Sequence, residues 1–327
     1  MKDAGNTRSI HSKTSQSHTA LHDHENDGNS RVRFTLQSLP KNTNIARFNA
    51  LVVGRWIDWC TSQTGDPWDI PENAIQVAQQ MWNLTLPDIQ HMVKAVRLVN
   101  FILRQHFYEF CSQFADRAEK AVETFWITWD DLPTAEDKAE FVASILPQNI
   151  VKYDATRRKL VIPPVFFPWM WEDDGFDGLT DYSCYDPDKR PPASGPFQSE
   201  PLLNTFAHFL ETVDHLHDHH RQLYHGKYPY GALALAAAAV EHAFSQWVIG
   251  VYQPLPWKAG AFSGRLWGWK TFEFVESLRR ITDDNWADIY RKVDEYKHLY
   301  KVRDQSLYNA ILNKTQPTPS GRALCFN

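Results

Sequence analysis

PYGALALAAAAVEHAFSQWVIG, residues 229–250, decides the fold. Read as a helix, this stretch is apolar nearly all round, which places it in the centre of a helical protein and not on its surface. Its alanines let neighbouring helices approach closely. Pro229 opens it and Gly250 closes it, as helix-terminal proline and glycine do. The run Ala232–Val240 is too short to cross a bilayer, which needs about 20 apolar residues. Glu241 and His242 interrupt it. Buried charge is costly unless paired, so the favoured reading is one narrow exposed edge shared with Ser245 and Gln246. The alternative is a polar pair facing a cavity.

Helical periodicity extends in both directions from this centre. Upstream, Leu203, Phe206, Leu210 and Val213 form one stripe, predicting a helix from about Ser199 to Leu223. Downstream, helices are expected over 263–281 and from Asp283, as the cap, to about Tyr300. In the first half, Ile45, Phe48, Val52, Trp56 and Trp59 predict a helix of about five turns. Pro71 then suits the first turn of a second helix reaching Trp82. Met92, Val96, Val99, Leu103, Phe107, Phe110, Phe114, Ala118, Val122 and Phe125 form the strongest stripe, predicting a long helix from near Pro87 to residue 127. Thr134 and Asp137 mark the start of a short helix to Leu146.

Two segments break the helical pattern. IVKYDATRRKLVI, 150–162, places Val, Ile and Tyr around a polar centre and predicts a small β-hairpin, the only strand pair expected. Residues 163–197 carry seven prolines and read as irregular, with VFFPWMW anchoring the segment to the body and the acids after it in solvent. The expected fold class is therefore mainly α, a multi-helix globular bundle with one small β-hairpin. Residues 1–40, polar and poor in large apolar groups, are expected to be a disordered N-terminal arm. One helical domain should fill 41–305. Its parts, 41–148 and 197–300, are joined by the hairpin and loop of 149–196, and a flexible tail follows over 306–327.

The 327 residues include 13 Trp, 12 Tyr and 19 Phe, more aromatic surface than a core requires, which leaves some for an interface. The net charge of −5 gives no basic signature for nucleic acid, although Arg157, Arg158, Lys159, Arg279 and Arg280 could supply a local patch. Cys60, Cys111, Cys184 and Cys325 lie far apart without a CxxC pair, which suits a reducing compartment. No apolar leader precedes residue 30. The expected location is intracellular, cytoplasmic or nuclear, with no signal peptide and no membrane span.

The histidine-rich stretch HFLETVDHLHDHHRQLYH, 208–225, is the one constellation with a chemical pattern. On a helix, Glu211, His215 and His219 fall at i, i+4, i+8 and share a face. Two imidazoles one turn apart can hold zinc, with the carboxylate as third ligand or base. The competing reading makes 208–225 a solvated polar face. His217-Asp218 also matches the doublet of a His-Asp phosphohydrolase, with His106 and Asp283 or Asp294 as the further ligands such a site needs. Walker A, GxGxxG and GxSxG patterns are missing.

The stretch YPYGALALAAAAVEHAFSQWVIG (228–250), with its aromatic-Pro-x-Gly start, Ala-Val-Glu centre and Trp-x-x-Gly close, resembles an uncharacterised domain family of mushroom-forming (basidiomycete) fungi. FQSEPLLNTFAHFL (197–210), Phe262-Ser263, Trp267-Gly268 and Trp286-x-x-Ile289 resemble its other segments, covering roughly 195–292. The resemblance implies a fungal origin and a helical domain, with no reaction or catalytic residue to carry over. The expected function is a non-catalytic helical protein-interaction domain. A metal-dependent, hydrolase-like enzyme using zinc at Glu211, His215 and His219 is the alternative, and a nucleic-acid-associated role is third.

Overall fold

The computed structural model describes residues 36–94, 98–128, 134–146, 152–154, 159–161, 168–173, 194–214, 216, 228–254 and 261–312, all within one compact unit spanning 34–327. Residues 1–35, where most of the expected arm falls, and 313–327 lie outside them. Leu36–Ser38 forms a 3-10 turn, and Leu39 after it is already buried.

The body is helical, as expected. Helix α1, residues 45–61, runs through Ile45–Arg47, a π-helical stretch Phe48–Val53, and Gly54–Thr61. It buries Phe48, Val52, Trp56 and Trp59. Helix α2 is Ala74–Thr85 and α3 is Leu98–Thr128. The expected start of α3 near Pro87 is corrected. Residues 86–94 are turns and irregular chain. The α2 side chain Gln79 explains why, since it offers this segment alternative hydrogen bonds: Val93 N–H donates to its Oε1 (2.6 Å), and its Nε2 donates to the His91 carbonyl (2.8 Å). Met92, read as part of the stripe, is 69% exposed. Helix α4, Ala135–Ile145, starts where expected, on a full capping box between Thr134 and Asp137.

Strands β1 (Lys152–Asp154) and β2 (Lys159–Val161) pair antiparallel in the register Lys152↔Val161, forming the predicted hairpin. A second pair corrects the expectation of one hairpin and an irregular 163–197. Strand β3, Trp171–Asp173, pairs antiparallel with β4, Ser194–Pro196. Three-residue strands so far apart in sequence leave no period-2 pattern to read. As expected, the aromatics anchor this segment: Trp169 is buried, with its ring 6.3 Å from Phe244 and 6.2 Å from Phe274.

Helix α5, Glu200–Val213, is shorter than expected, and Asp214 and Leu216 lie in a turn after it. Helix α6, Tyr230–Ser245, is the predicted centre, with every residue from Gly231 to Phe244 buried. It packs against α3, α5 and the following helix α7, Gly264–Leu278. The close approach is visible at Gly231, where a Cβ would sit 2.8 Å from the Thr61 carbonyl oxygen. Helix α8, Asp283–Leu312, extends past the expected end at Tyr300 and packs on α5. Its Trp286 is fully buried and stacked on Tyr228 at 4.7 Å. No helix among the described residues is long and apolar enough to cross a membrane.

Candidate functional site

Of the metal candidates, Glu211 sits in the last turn of α5, with Oε1 3.5 Å from Arg117 Nη2 on α3. His215 and His219 lie outside the described residues, as do His217, Asp218, His220 and His225. Helix α5 ends at Val213, before any of them. Among the described residues no group of three or more His, Cys, Asp and Glu is arranged to hold a metal ion.

His208 is placed, and there the expectation of a solvated face is corrected. It lies in the seam between α5 and α3, stacked on Phe110 (5.5 Å, 22°) and edge-on to Phe114 (5.6 Å). Its Nε2 is 3.1 Å from Gln113 Oε1. Burial first, and the Arg117 charge second, bring its pKa down to about 4. His106 pairs with Glu109 at 3.3 Å, Asp283 accepts from the Tyr228 hydroxyl (2.9 Å), and Asp294 from Lys297 (3.0 Å).

The exposed edge expected at Glu241 and His242 is also corrected. Glu241, His242 and Gln246 are each 4% exposed. The charge is tolerated because Lys270, from α7, reaches the Glu241 carboxylate and pairs with it. The same ammonium sits 4.5 Å from the Trp267 ring centre. Burial raises the Glu241 pKa, and Lys270 opposes that rise. His242 packs edge-on against Trp267 (5.2 Å) and against Phe262 (5.7 Å). Trp68 meets Phe262 (5.4 Å) and donates from its indole to Thr271 (3.2 Å). Several residues that carry the family resemblance, Glu241, Phe262 and Trp267, therefore converge on one buried cluster. Lys270, 29 positions from Glu241, was invisible to helical periodicity.

A second feature follows the central helix. The expected end of α6 at Ile249 is corrected, since the helix stops at Ser245. Residues 246–252 turn over the ends of α3 and α4. Gly250, at φ +74°, lies so close to α4 that a Cβ there would fall 1.6 Å from the Ala135 carbonyl oxygen. The Trp247 ring is 5.7 Å from Trp126. The Gln253 N–H donates to the Gln246 carbonyl (2.8 Å), closing the turn. Held this way, Val248, Ile249, Val251 and Tyr252 point into solvent at 55%, 51%, 47% and 39% exposure. Glu119 on α3 accepts from the Gln246 amide (2.8 Å) and the Tyr252 hydroxyl (3.2 Å). Burial, then Glu119 and its acidic neighbours, push the Tyr252 pKa up to about 12. The apolar WVIGVY run closing in Gln-Pro is the sequence signal for this corner, of which helical reading takes only Trp247 to Ile249.

Elsewhere, α7 exposes Leu266, Trp269 and Phe272 along one face. Two open recesses flank α2, one lined by Gln79, His91 and Met92 among others, the second by Lys41, Arg47 and Asp88 among others. Neither includes Glu241 or Lys270. Of the basic residues nominated for nucleic acid, Arg279 is bound to Glu276 and the Thr64 carbonyl, and Arg280 is exposed. Arg157 and Arg158, and the side chain of Lys159, fall outside the described residues.

A family model described as a domain of unknown function (DUF6532) matches residues 63–281. The match corrects the span of 195–292 read from motifs, since it begins just after α1 and takes in α2 to α7. No curated protein and no solved structure matches the chain.

Proposed function

Since the chain belongs to the DUF6532 family, a domain of unknown function, we propose a role from its own surface: a non-catalytic helical domain that binds a protein partner at the corner after α6. The observation that carries this reading is the solvent exposure of Val248, Ile249, Val251 and Tyr252, four large apolar side chains within five residues on a turn pinned by Gly250. Apolar groups clustered in water typically mark interaction surfaces. Ile127, next to the buried Trp126 on α3, adds to the exposure at 73%. The reading assigns no cofactor and no catalytic residue. It includes an intracellular location, supported by the buried free thiols of Cys60 and Cys111. The fungal origin belongs to the same proposal and rests on the motif residues of 228–250.

Selection of a displayed peptide library on the purified chain tests it. The expected binders enrich on the wild-type protein and lose affinity at least about tenfold on a V248S/I249S variant of unchanged melting temperature, while Trp269→Ser leaves them unaffected. Binders indifferent to V248S/I249S would contradict the reading. So would one tightly held zinc per chain that is lost on His215→Ala, which would restore the hydrolase alternative.

A further inference from the structure

On the proposed binding role, we infer that the corner after α6 takes a basic amphipathic peptide segment, with Lys or Arg side chains flanking large apolar ones. The apolar centre is Val248, Ile249, Val251 and Tyr252. Its rim supplies the sign of the charge.

On the α3 side, Glu119 accepts from the Tyr252 hydroxyl, and the charges of Glu123 and Asp116 on the same helix raise its pKa further. The three acids follow a 3-4 spacing along the helix, and Ile127 continues the row. Glu119 is held at both oxygens by neutral donors, the Gln246 amide and the Tyr252 hydroxyl. Those bonds fix the carboxylate in place without cancelling its charge. On the α4 side, Gly250 lies against Ala135, the neighbour of Glu136 in the first turn of that helix. Among the described residues two bases belong to the same region. Lys120 lies on α3, and the Lys138 ammonium sits over the rings of Trp126 (5.8 Å) and Trp247 (5.9 Å). Among the described residues these carboxylates outnumber the two ammonium groups, which leaves the rim acidic.

An apolar centre with a charged rim is the anatomy of a binding face, and the rim charge selects the partner. An acidic rim repels nucleic acid and anionic lipid. It also disfavours a second copy of this chain docked face to face, because a two-fold contact would set the same carboxylates against each other. A segment with positive side chains around an apolar stripe meets both parts of the surface.

Fluorescence anisotropy with three labelled synthetic peptides tests this on the full chain. The first is amphipathic with Leu and Lys, the second has Glu in place of Lys, and the third keeps Lys but has Ser in place of Leu. The Leu/Lys peptide should bind wild type saturably and at least about tenfold more tightly than either control. Affinity should fall severalfold on Glu123→Gln and further on E119Q/E123Q, and Glu123 makes neither of the Glu119 bonds, so E123Q leaves the turn intact. Ile249→Asp separates docking from bulk charge: it adds a negative charge, so a purely electrostatic attraction would tighten, whereas a seated apolar side chain would be lost and binding would weaken. Equal binding of the Leu/Glu peptide would overturn the basic partner and leave the binding role standing. Equal binding of the Lys/Ser peptide, or tighter binding to Ile249→Asp, would overturn both. Binding by none of the three would overturn the basic partner, with the binding role then decided by the library selection.

Discussion

Half-buried His208 and buried Glu241 are two titratable residues whose pH dependences run in opposite directions. The His208 pKa is depressed to about 4 in the folded chain, against an ordinary 6.5. Above pH 6.5 the ring is neutral in both states and its packing on Phe110 is fully available. As pH falls from 6.5 towards 4, the unfolded chain takes up a proton that the folded chain refuses, and stability drops. The slope is about 1.4 kcal/mol per pH unit at most, on the order of 2–3 kcal/mol across the window. Urea unfolding at pH 7, 5 and 4 should show this loss in wild type and a smaller one in His208→Phe. Glu241 has a raised pKa, so it disfavours the fold as pH rises through 4.5 and beyond, and Lys270 offsets that cost. Lys270→Ala should therefore cost about 2–3 kcal/mol at pH 7 and less than about 1 kcal/mol from this source at pH 5, where the carboxyl takes a proton cheaply. Loss of the contact with Trp267 adds about 0.5–1 kcal/mol at either pH. A deficit that stays constant with pH would contradict the assignment of the pair.

At the scale of elements, the turn after α6 depends on one glycine. Gly250→Ala meets both a positive φ of 74° and a backbone oxygen 1.6 Å from where its Cβ would lie. It should destabilise by at least about 3 kcal/mol in thermal or urea unfolding, where Gly65→Ala, with open space around it, should change little. These elements also mark what the sequence could reveal. Residues 229–245 announced a buried helix because fourteen of them have nothing but protein to face. The Thr134 and Asp137 capping box, the α3 stripe from Val99 to Val122 and the 150–162 hairpin were equally legible, since each is a local pattern. The start of α3 was not, because Gln79, on another helix, takes the backbone hydrogen bonds of 91 and 93. Nor was the burial of Glu241, whose partner comes from α7. The corner after α6 was hidden for the same reason: 246–252 is apolar enough to continue a helix, and its contacts with Ala135, Trp126 and Glu119, on other helices, hold it as a turn.

For the molecule as a whole, the family match ends at residue 281, but the fold does not. Helix α8 contributes Trp286, Ile289 and Val293, each fully buried, and its Lys297 bridges Asp214 and Asp294. Burying each of those apolar side chains stabilises by about 1.5–3 kcal/mol, a sum comparable with the whole stability of an ordinary domain. A chain ending at residue 281 should therefore lose cooperative unfolding or melt more than about 10 °C lower, as calorimetry would show. The same scale suits the proposed role, since a rigid bundle that fixes one apolar turn between α3 and α4 presents its surface with little ordering left to do on binding. Hydrogen exchange with and without the Leu/Lys peptide tests that claim most directly. New protection is expected at 247–253 and along α3 from Asp116 to Thr128, with the α2 recesses and the α7 face unchanged. Protection centred on α7, or around 208–216 on the histidine-rich segment, would contradict it.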